Sequence, residues 1–205
     1  MKLTKLPLVA ALSLLVLSSN AWAQSTKRLI DEVNPFIGTS NFGTTNPGAV
    51  VPNGLMSITP FNVSGSPELN KFDKDKRWWS TPYTADNKFF SGFSHVNLSG
   101  VGCPELGSII VSASAGDLDV DYTHYGSAMS QEKAHPGYYS VQLDKHKIKA
   151  EVTATQRTAV SAFTFERGSK SNILVNLGLG LTNESGATVR FLNDSTIVGS
   201  KLMGT

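Results

Sequence analysis

Through residues 148–155 apolar and polar side chains alternate without a break. Ile148, Ala150, Val152 and Ala154 point one way, and Lys149, Glu151 and Thr153 point the other. A period of two marks a strand with one face in a core and one in water. The pattern recurs through the second half of the chain. Residues 138–143 precede it across Asp144-Lys145-His146-Lys147, which reads as a hairpin loop. Residues 158–165 repeat it, with Phe163 and Phe165 on one face and Val160 and Ala162 on the other. Ile173, Val175, Leu177 and Leu179 supply a further strand, and residues 108–114, 187–192 and 196–198 supply three more. No long segment sustains a helical repeat. The chain is therefore all-β, and an antiparallel β-sandwich is the natural arrangement; a barrel closed on itself would share the pattern.

The first 23 residues stand apart. Lys2 and Lys5 open a basic start, residues 6–17 form an apolar run, and Ala21-Trp22-Ala23 is a small-x-small cleavage site. The run falls short of the roughly 20 apolar residues a membrane span needs. Residues 1–23 thus read as a signal peptide, with no cysteine after the run for a lipid anchor and no membrane segment after cleavage. Export to a periplasm or the exterior is expected.

Removing Lys2 and Lys5 leaves 16 cationic and 16 anionic side chains. A neutral chain without a basic run lacks the electrostatic footprint of nucleic-acid binding. The lone Cys103 excludes an internal disulfide and a multi-cysteine metal centre. Without a paired thiol or a protease-like setting, it is expected to be buried and inert. Residues 24–205 suit a single domain.

Between Val33 and Gly107 glycine, proline, asparagine and aromatic residues crowd together. Asn34-Pro35-Phe36-Ile37-Gly38-Thr39, Asn46-Pro47-Gly48 and Pro52-Asn53-Gly54 are turn-forming groups. They form either a wandering surface loop or a rigid frame that presents backbone amides and Phe36 to a ligand. Trp78 and Trp79 are adjacent, and neighbours on an extended chain point opposite ways. Either both indoles are buried, or one turns outward to stack on a sugar ring.

Ser94, His95, Asn97 and Gly100 lie in a stretch of small and hydrogen-bonding residues. Ser94 and His95 have no obvious carboxylate partner to complete a triad, and His95 alone is not a metal centre. Asp117, Asp119 and Asp121 could face one way and hold calcium. A solvated edge is the better reading, because no glycine-spaced loop closing on a glutamate follows. Asn62, Asn97, Asn183 and Asn193 each begin the short glycosylation acceptor pattern.

Taken in order, these phrases resemble the N-terminal domain of glycoside hydrolase family 92, the exported alpha-mannosidases. The matching residues are Val33-Asn34-Pro35-Phe36-Ile37-Gly38-Thr39, Pro47-Gly48-Ala49, Pro52 and Gly54. Gly92-Phe93-Ser94-His95, Leu98-Ser99-Gly100 and Gly102-Cys103 come next. Glu132-Lys133-Ala134, Pro136-Gly137-Tyr138-Tyr139-Ser140-Val141, residues 150–155 and Ile173-Leu174-Val175-Asn176-Leu177 complete the series.

The resemblance implies an N-terminal β-sandwich joined to a larger C-terminal barrel of paired helices. It implies calcium-dependent, inverting hydrolysis of terminal alpha-mannosides, with the acid and base carried by the barrel. Loops of the sandwich would then line the pocket for a mannose-containing glycan through Phe36, Gly38, Thr39, Trp78, Trp79, Ser94, His95, Asn97 and Gly100. No helical barrel is legible in the 205 residues. The sandwich is expected to be incomplete at its C-terminus, and the chain alone to be inactive, with no catalytic residue and no calcium ligand assignable to it. The chain departs from the family pattern at Asn97, where a second histidine is usual, at Asn53, and across Pro104-Glu105-Leu106. The alternative is a stand-alone carbohydrate-binding module, or a structural sandwich pairing with a partner chain.

Overall fold

The structure, a computed structural model, describes residues 28–64, 79–182 and 184–203. Trp78, Asn183 and the leader lie outside the described residues. In chain order the strands are β1 (Ala49–Val50), β2 (Ser57–Phe61), β3 (Phe89–Phe90), β4 (Gly92–His95), β5 (Ile110–Ala115) and β6 (Ser127–His135). They continue with β7 (Tyr138–Leu143), β8 (Ile148–Ala154), β9 (Ala159–Thr164), β10 (Ser171–Asn176), β11 (Glu184–Asn193) and β12 (Thr196–Met203). Residues 28–32 form a separate unit, a single 3-10 turn across Leu29–Glu32 with an Arg28–Asp31 ion pair of 2.8 Å.

Two five-stranded antiparallel sheets make the sandwich. The first runs β1-β2-β4-β5-β10 and the second β3-β6-β7-β8-β9. They remain separate sheets, so the closed barrel is not adopted. Ile58, Phe93 and Ala113 of the first sheet meet Tyr139, Val141, Leu143, Ile148, Ala150 and Val152 of the second in one buried cluster. Phe93 is its centre. Its ring packs edge-on to Phe90 at 4.9 Å and to Tyr139 at 6.2 Å between centroids, a geometry that aligns ring edges with ring faces.

The 148–154 strand obeys its alternation: Ile148, Ala150, Val152 and Ala154 are buried, while Lys149 and Thr153 face water. The hairpin register sets Tyr139 opposite Val152 and Leu143 opposite Ile148, both pairs pointing inward. The 173–179 expectation shifts. The strand is β10, and its buried residue is Leu174, while Ile173 and Val175 are exposed. The register explains this. Leu174 stands opposite Ser112 on the sheet face turned away from the second sheet, whereas Val175 stands opposite Val111 on the core-side face, at the sheet's uncovered edge.

The centre of the first sheet, β2 and β4, is covered on both sides. All five residues of β2 are buried. On the face away from the main core, Ser57, Thr59, Ser94, Ser112 and Ser114 form a buried hydroxyl seam. Beside it Phe61, Val63 and Ile110 pack with Trp79, Leu179 and Leu181. Pro60 sits within β2 without breaking the sheet, because the two-residue β1 pairs only with Ser57 and Ile58. No ladder partner is lost on that side.

The last two strands pair with each other as a ribbon. Phe191 is 82% exposed, and Lys201 Nζ donates to the Leu179 carbonyl at 3.1 Å.

Candidate functional site

The loop of residues 36–48 and the loop of residues 96–107 lie beside the start of β2 and the end of β4 and are bonded to each other. Gly100 N–H donates to the Thr44 carbonyl at 2.7 Å, and Asn46 Nδ2 donates to the Leu98 carbonyl at 3.3 Å. The first loop is also tied to its neighbour, since Ala85 N–H donates to the Thr39 carbonyl at 2.8 Å.

Several predicted pocket residues hold this arrangement from behind. Thr39 is buried, and its hydroxyl donates to the Phe36 carbonyl at 2.8 Å. Phe36 packs against the main core. Ser94 is fully buried and donates from Oγ to Asn97 Oδ1 at 2.8 Å. Asn97 Nδ2 donates to the Ser94 carbonyl at 2.9 Å and to the Ser57 carbonyl at 3.3 Å. Its N–H donates to Ser57 Oγ at 2.6 Å. Every polar atom of the Asn97 side chain is thus engaged in joining the loop to β2 and β4.

Gly38, at φ 80, is required in its loop: a Cβ there would stand 2.8 Å from Thr45 Oγ1, and the backbone angle already disfavours side chains. Gly100, at φ 78, has open space around it. Trp79 belongs to the cluster of Phe61, Val63 and Ile110. Leu181 links that cluster to the second loop, lying 3.4 Å from where a Gly107 Cβ would be.

His95 is half-buried, with Nδ1 2.7 Å from the Ile109 carbonyl. That contact fixes the neutral tautomer with Nδ1–H donating and Nε2 as acceptor. Burial lowers the His95 pKa, opposed in part by the bond to Ile109. As pH falls, the unfolded chain takes up this proton before the folded one does. The stability His95 confers is therefore fully present above about pH 6.5, the unperturbed value, and is lost as pH falls through the lowered folded value. His95→Gln is expected to flatten the pH dependence of the urea midpoint below about pH 6.5, measured against the parent chain.

Phe42 was not among the residues expected at the site. Gly43 N–H donates to the Ser40 carbonyl at 2.9 Å, with Asn41 at φ 51 and Phe42 at φ 63 between them. That is a mirror-image turn whose central residues both sit in the left-handed region. Phe42 is 79% exposed. A bulky residue in that conformation is strained, and such strain gathers at ligand-binding loops. The one legible cue was Asn41 and Gly43, turn-formers flanking an aromatic.

Cys103 corrects an expectation: it is exposed rather than buried. The loop stands clear of the body here, for neither Gly100 nor Gly102 has an atom within 4 Å of a notional Cβ.

The Asp117–Asp121 segment is a solvated loop rather than a strand edge. Asp117 pairs with Lys170 at 2.7 Å. Asp119 and Asp121 flank His124 at 3.7 and 3.5 Å. Asp121 Oδ1 accepts from the Thr123 hydroxyl and amide, and these bonds lower its pKa. Calcium takes six to eight oxygen ligands, and these carboxylates are directed to other partners. Among the described residues no group of three or more His, Cys, Asp or Glu side chains converges on a metal position. The described residues do not fit a calcium centre.

Comparison with known proteins matches this architecture. The glycosyl hydrolase family 92 N-terminal domain matches residues 32–205. An uncharacterized secreted glycosidase of Arthroderma benhamiae is 29% identical over 181 residues, covering 81% of this chain and 22% of that protein. The family GH92 alpha-mannosidase BT3965 of Bacteroides thetaiotaomicron, solved with mannoimidazole, superposes with a TM-score of 0.74 at 31% identity. That match covers 85% of this chain and 23% of the mannosidase. The family GH92 inverting mannosidase BT2199 of Bacteroides thetaiotaomicron VPI-5482 gives 0.53 at 26% identity, covering 73% of this chain and 20% of that one. The chain therefore spans about a fifth to a quarter of the length of these proteins. With the match running from Glu32 through the last residue, the chain belongs to glycosyl hydrolase family 92, as a representative of its N-terminal domain.

Proposed function

We propose that this chain serves as the N-terminal domain of an exported alpha-mannosidase-like glycosidase, its two bonded loops forming one wall of a pocket for a mannose-containing glycan. The observation that carries the reading is the joining of loops 36–48 and 96–107, where Gly38, Phe42 and Gly100 hold left-handed conformations at one end of the sandwich. Export is supported by the signal-like residues 1–23 and by a relative that bears the name of a secreted glycosidase.

On this reading the residues divide their work. Gly100, with open space where a Cβ would stand, lets the backbone approach the sugar, while Gly38 lets Thr45 close the first loop. His95 Nε2 accepts a hydrogen bond from a hydroxyl, and Phe42 offers an aromatic face for stacking. Phe36, Thr39, Trp79, Ser94 and Asn97 keep the wall rigid, which lowers the ordering cost of binding. Inverting hydrolysis needs two carboxyl groups about 6.5–9.5 Å apart with water between. On this reading those groups belong to the helical-barrel domain that the family resemblance implies, and calcium serves the complete enzyme.

Titrating the purified chain with alpha-mannobiose tests both halves. A saturable change in intrinsic fluorescence at about millimolar sugar is expected, without release of free mannose. A flat titration would remove the pocket from the proposal, and turnover with contaminants excluded would overturn the assignment of the acid and base to another domain.

A further inference from the structure

The second sheet is hollowed on the face turned away from the core. A depression of about 170 Å³ opens there, lined chiefly by Gln131, Lys133, Tyr138, Ser140, Gln142 and Lys149. An engineered cavity of about 150 Å³ accepts a six-membered ring. The register explains the hollow: small Ser140 stands between Lys133 on one side and Glu151 on the other, so the middle of the row is a floor rather than a filled position.

A β-bulge builds one rim. Gln131 and Glu132 together oppose the single residue Val141, where the register shifts between Ser130 and Lys133. Glu132 turns inward to Tyr83, Tyr139 and Lys88. Gln131, held at φ 52, turns outward to the rim. Bulges of this kind re-aim side chains beside binding sites.

The other rim is pinned. Tyr138 donates its hydroxyl to Glu151 at 2.5 Å, and the His135 ring stacks on it at 4.8 Å with an interplanar angle of 12°. Lys149 pairs with Glu151 at 2.9 Å. The polar ends of Gln131, Lys133, Ser140 and Gln142, in contrast, have no hydrogen-bond or ion-pair partner among the described residues. Two amides, a hydroxyl and one uncompensated ammonium thus converge beside a fixed aromatic ring, a donor and acceptor set suited to a polyhydroxylated ring bearing an acid group.

From this arrangement we infer that the outer face of β6, β7 and β8 is a second saccharide site, taking one hexopyranose unit with a carboxylate substituent. Lys133 binds the acid group, Gln131 and Gln142 bind ring hydroxyls, and Tyr138 forms the side wall. The inference does not rest on the loop-end reading, because the two sites share no residue.

Isotope-edited NMR of the full chain, with glucuronic acid and methyl glucoside as probes, tests it. Glucuronic acid is expected to shift the amides of Tyr138, Ser140 and Gln142, and methyl glucoside to bind about tenfold more weakly, the loss of one charge-assisted hydrogen bond. Lys133→Met should abolish that preference. Ser140→Leu, which fills the floor, should abolish binding of both sugars, with the fold checked by circular dichroism. His95→Gln should change nothing at this face. Equal binding of the two probes, shifts confined to the 96–107 loop, indifference to Lys133→Met, or no shifts at all would each overturn the assignment.

Discussion

Glu132→Ala is expected to cost the fold about 3–5 kcal/mol, because it leaves two buried phenol donors unsatisfied at about 1–3 kcal/mol each. The Glu132 side chain is only 10% exposed. Its Oε2 accepts from the Tyr83 and Tyr139 hydroxyls, each at 2.8 Å, and its Oε1 receives Lys88 Nζ at 2.7 Å. Alanine leaves two buried phenols and one half-buried ammonium without their acceptor.

The carboxylate also raises both phenol pKa values, although burial is the larger cause for each. The unfolded chain therefore loses these protons first as pH climbs. The stability they confer is present below about pH 10 and falls as pH rises beyond it. Glu132→Gln keeps an acceptor for the phenols and forfeits the charge, so a smaller loss, about 1–2 kcal/mol, is expected. Denaturant unfolding of the two variants separates a charge contribution from a hydrogen-bond contribution. Equal losses would show that the charge, not the acceptor, carries the network.

Phe93→Ala should be at least as damaging, at about 3–5 kcal/mol. Phe93 is fully buried and touches Phe90, Tyr139 and Phe163, so its removal opens a cavity against both sheets. Domains are stable by about 5–15 kcal/mol in all, so either change removes a large share of the total. Combining them should be less than additive, since Tyr139 contacts Phe93 and bonds to Glu132. A midpoint for Phe93→Ala within error of the parent would contradict the placement of that ring at the centre of the core.

The strands that the sequence made legible are those with one wet face. Residues 138–154 fold as the alternation requires, because Lys149 and Thr153 meet water while Ile148 and Val152 meet the core. In β2 that contrast vanishes. Ser57, Thr59 and Phe61 are as buried as Ile58 and Pro60, so polarity no longer reports direction. In β6 the period slips at Gln131 and Glu132, and no window spanning the bulge keeps one phase.

The turn-forming loops were legible in the sequence, while the partners of their polar side chains were not. Ser94 and Asn97 carry the atoms expected of ligand contacts, yet their partners, the Thr59 and Ser57 backbones, come from a strand some 35 to 40 residues away. Polar side chains spent on distant backbone cannot be told from free ones in a linear chain. The strained turn that exposes Phe42 depends on a backbone choice that Asn41 and Gly43 permit without dictating.

The unequal covering of the two sheets sets where this domain tolerates variation. Side chains at Thr153, Val160 and Thr164 lie on open ground, so dyes, affinity handles or solubilising charges can be installed there at little cost to folding. Thr59, Ser94 and Ser112 occupy the opposite situation: chemically ordinary hydroxyl residues, walled in on all sides, where even a conservative exchange must answer to neighbours above, below and beside. A saturation library would accordingly retain polar diversity on the outer face of the second sheet and reject it at the centre of the first.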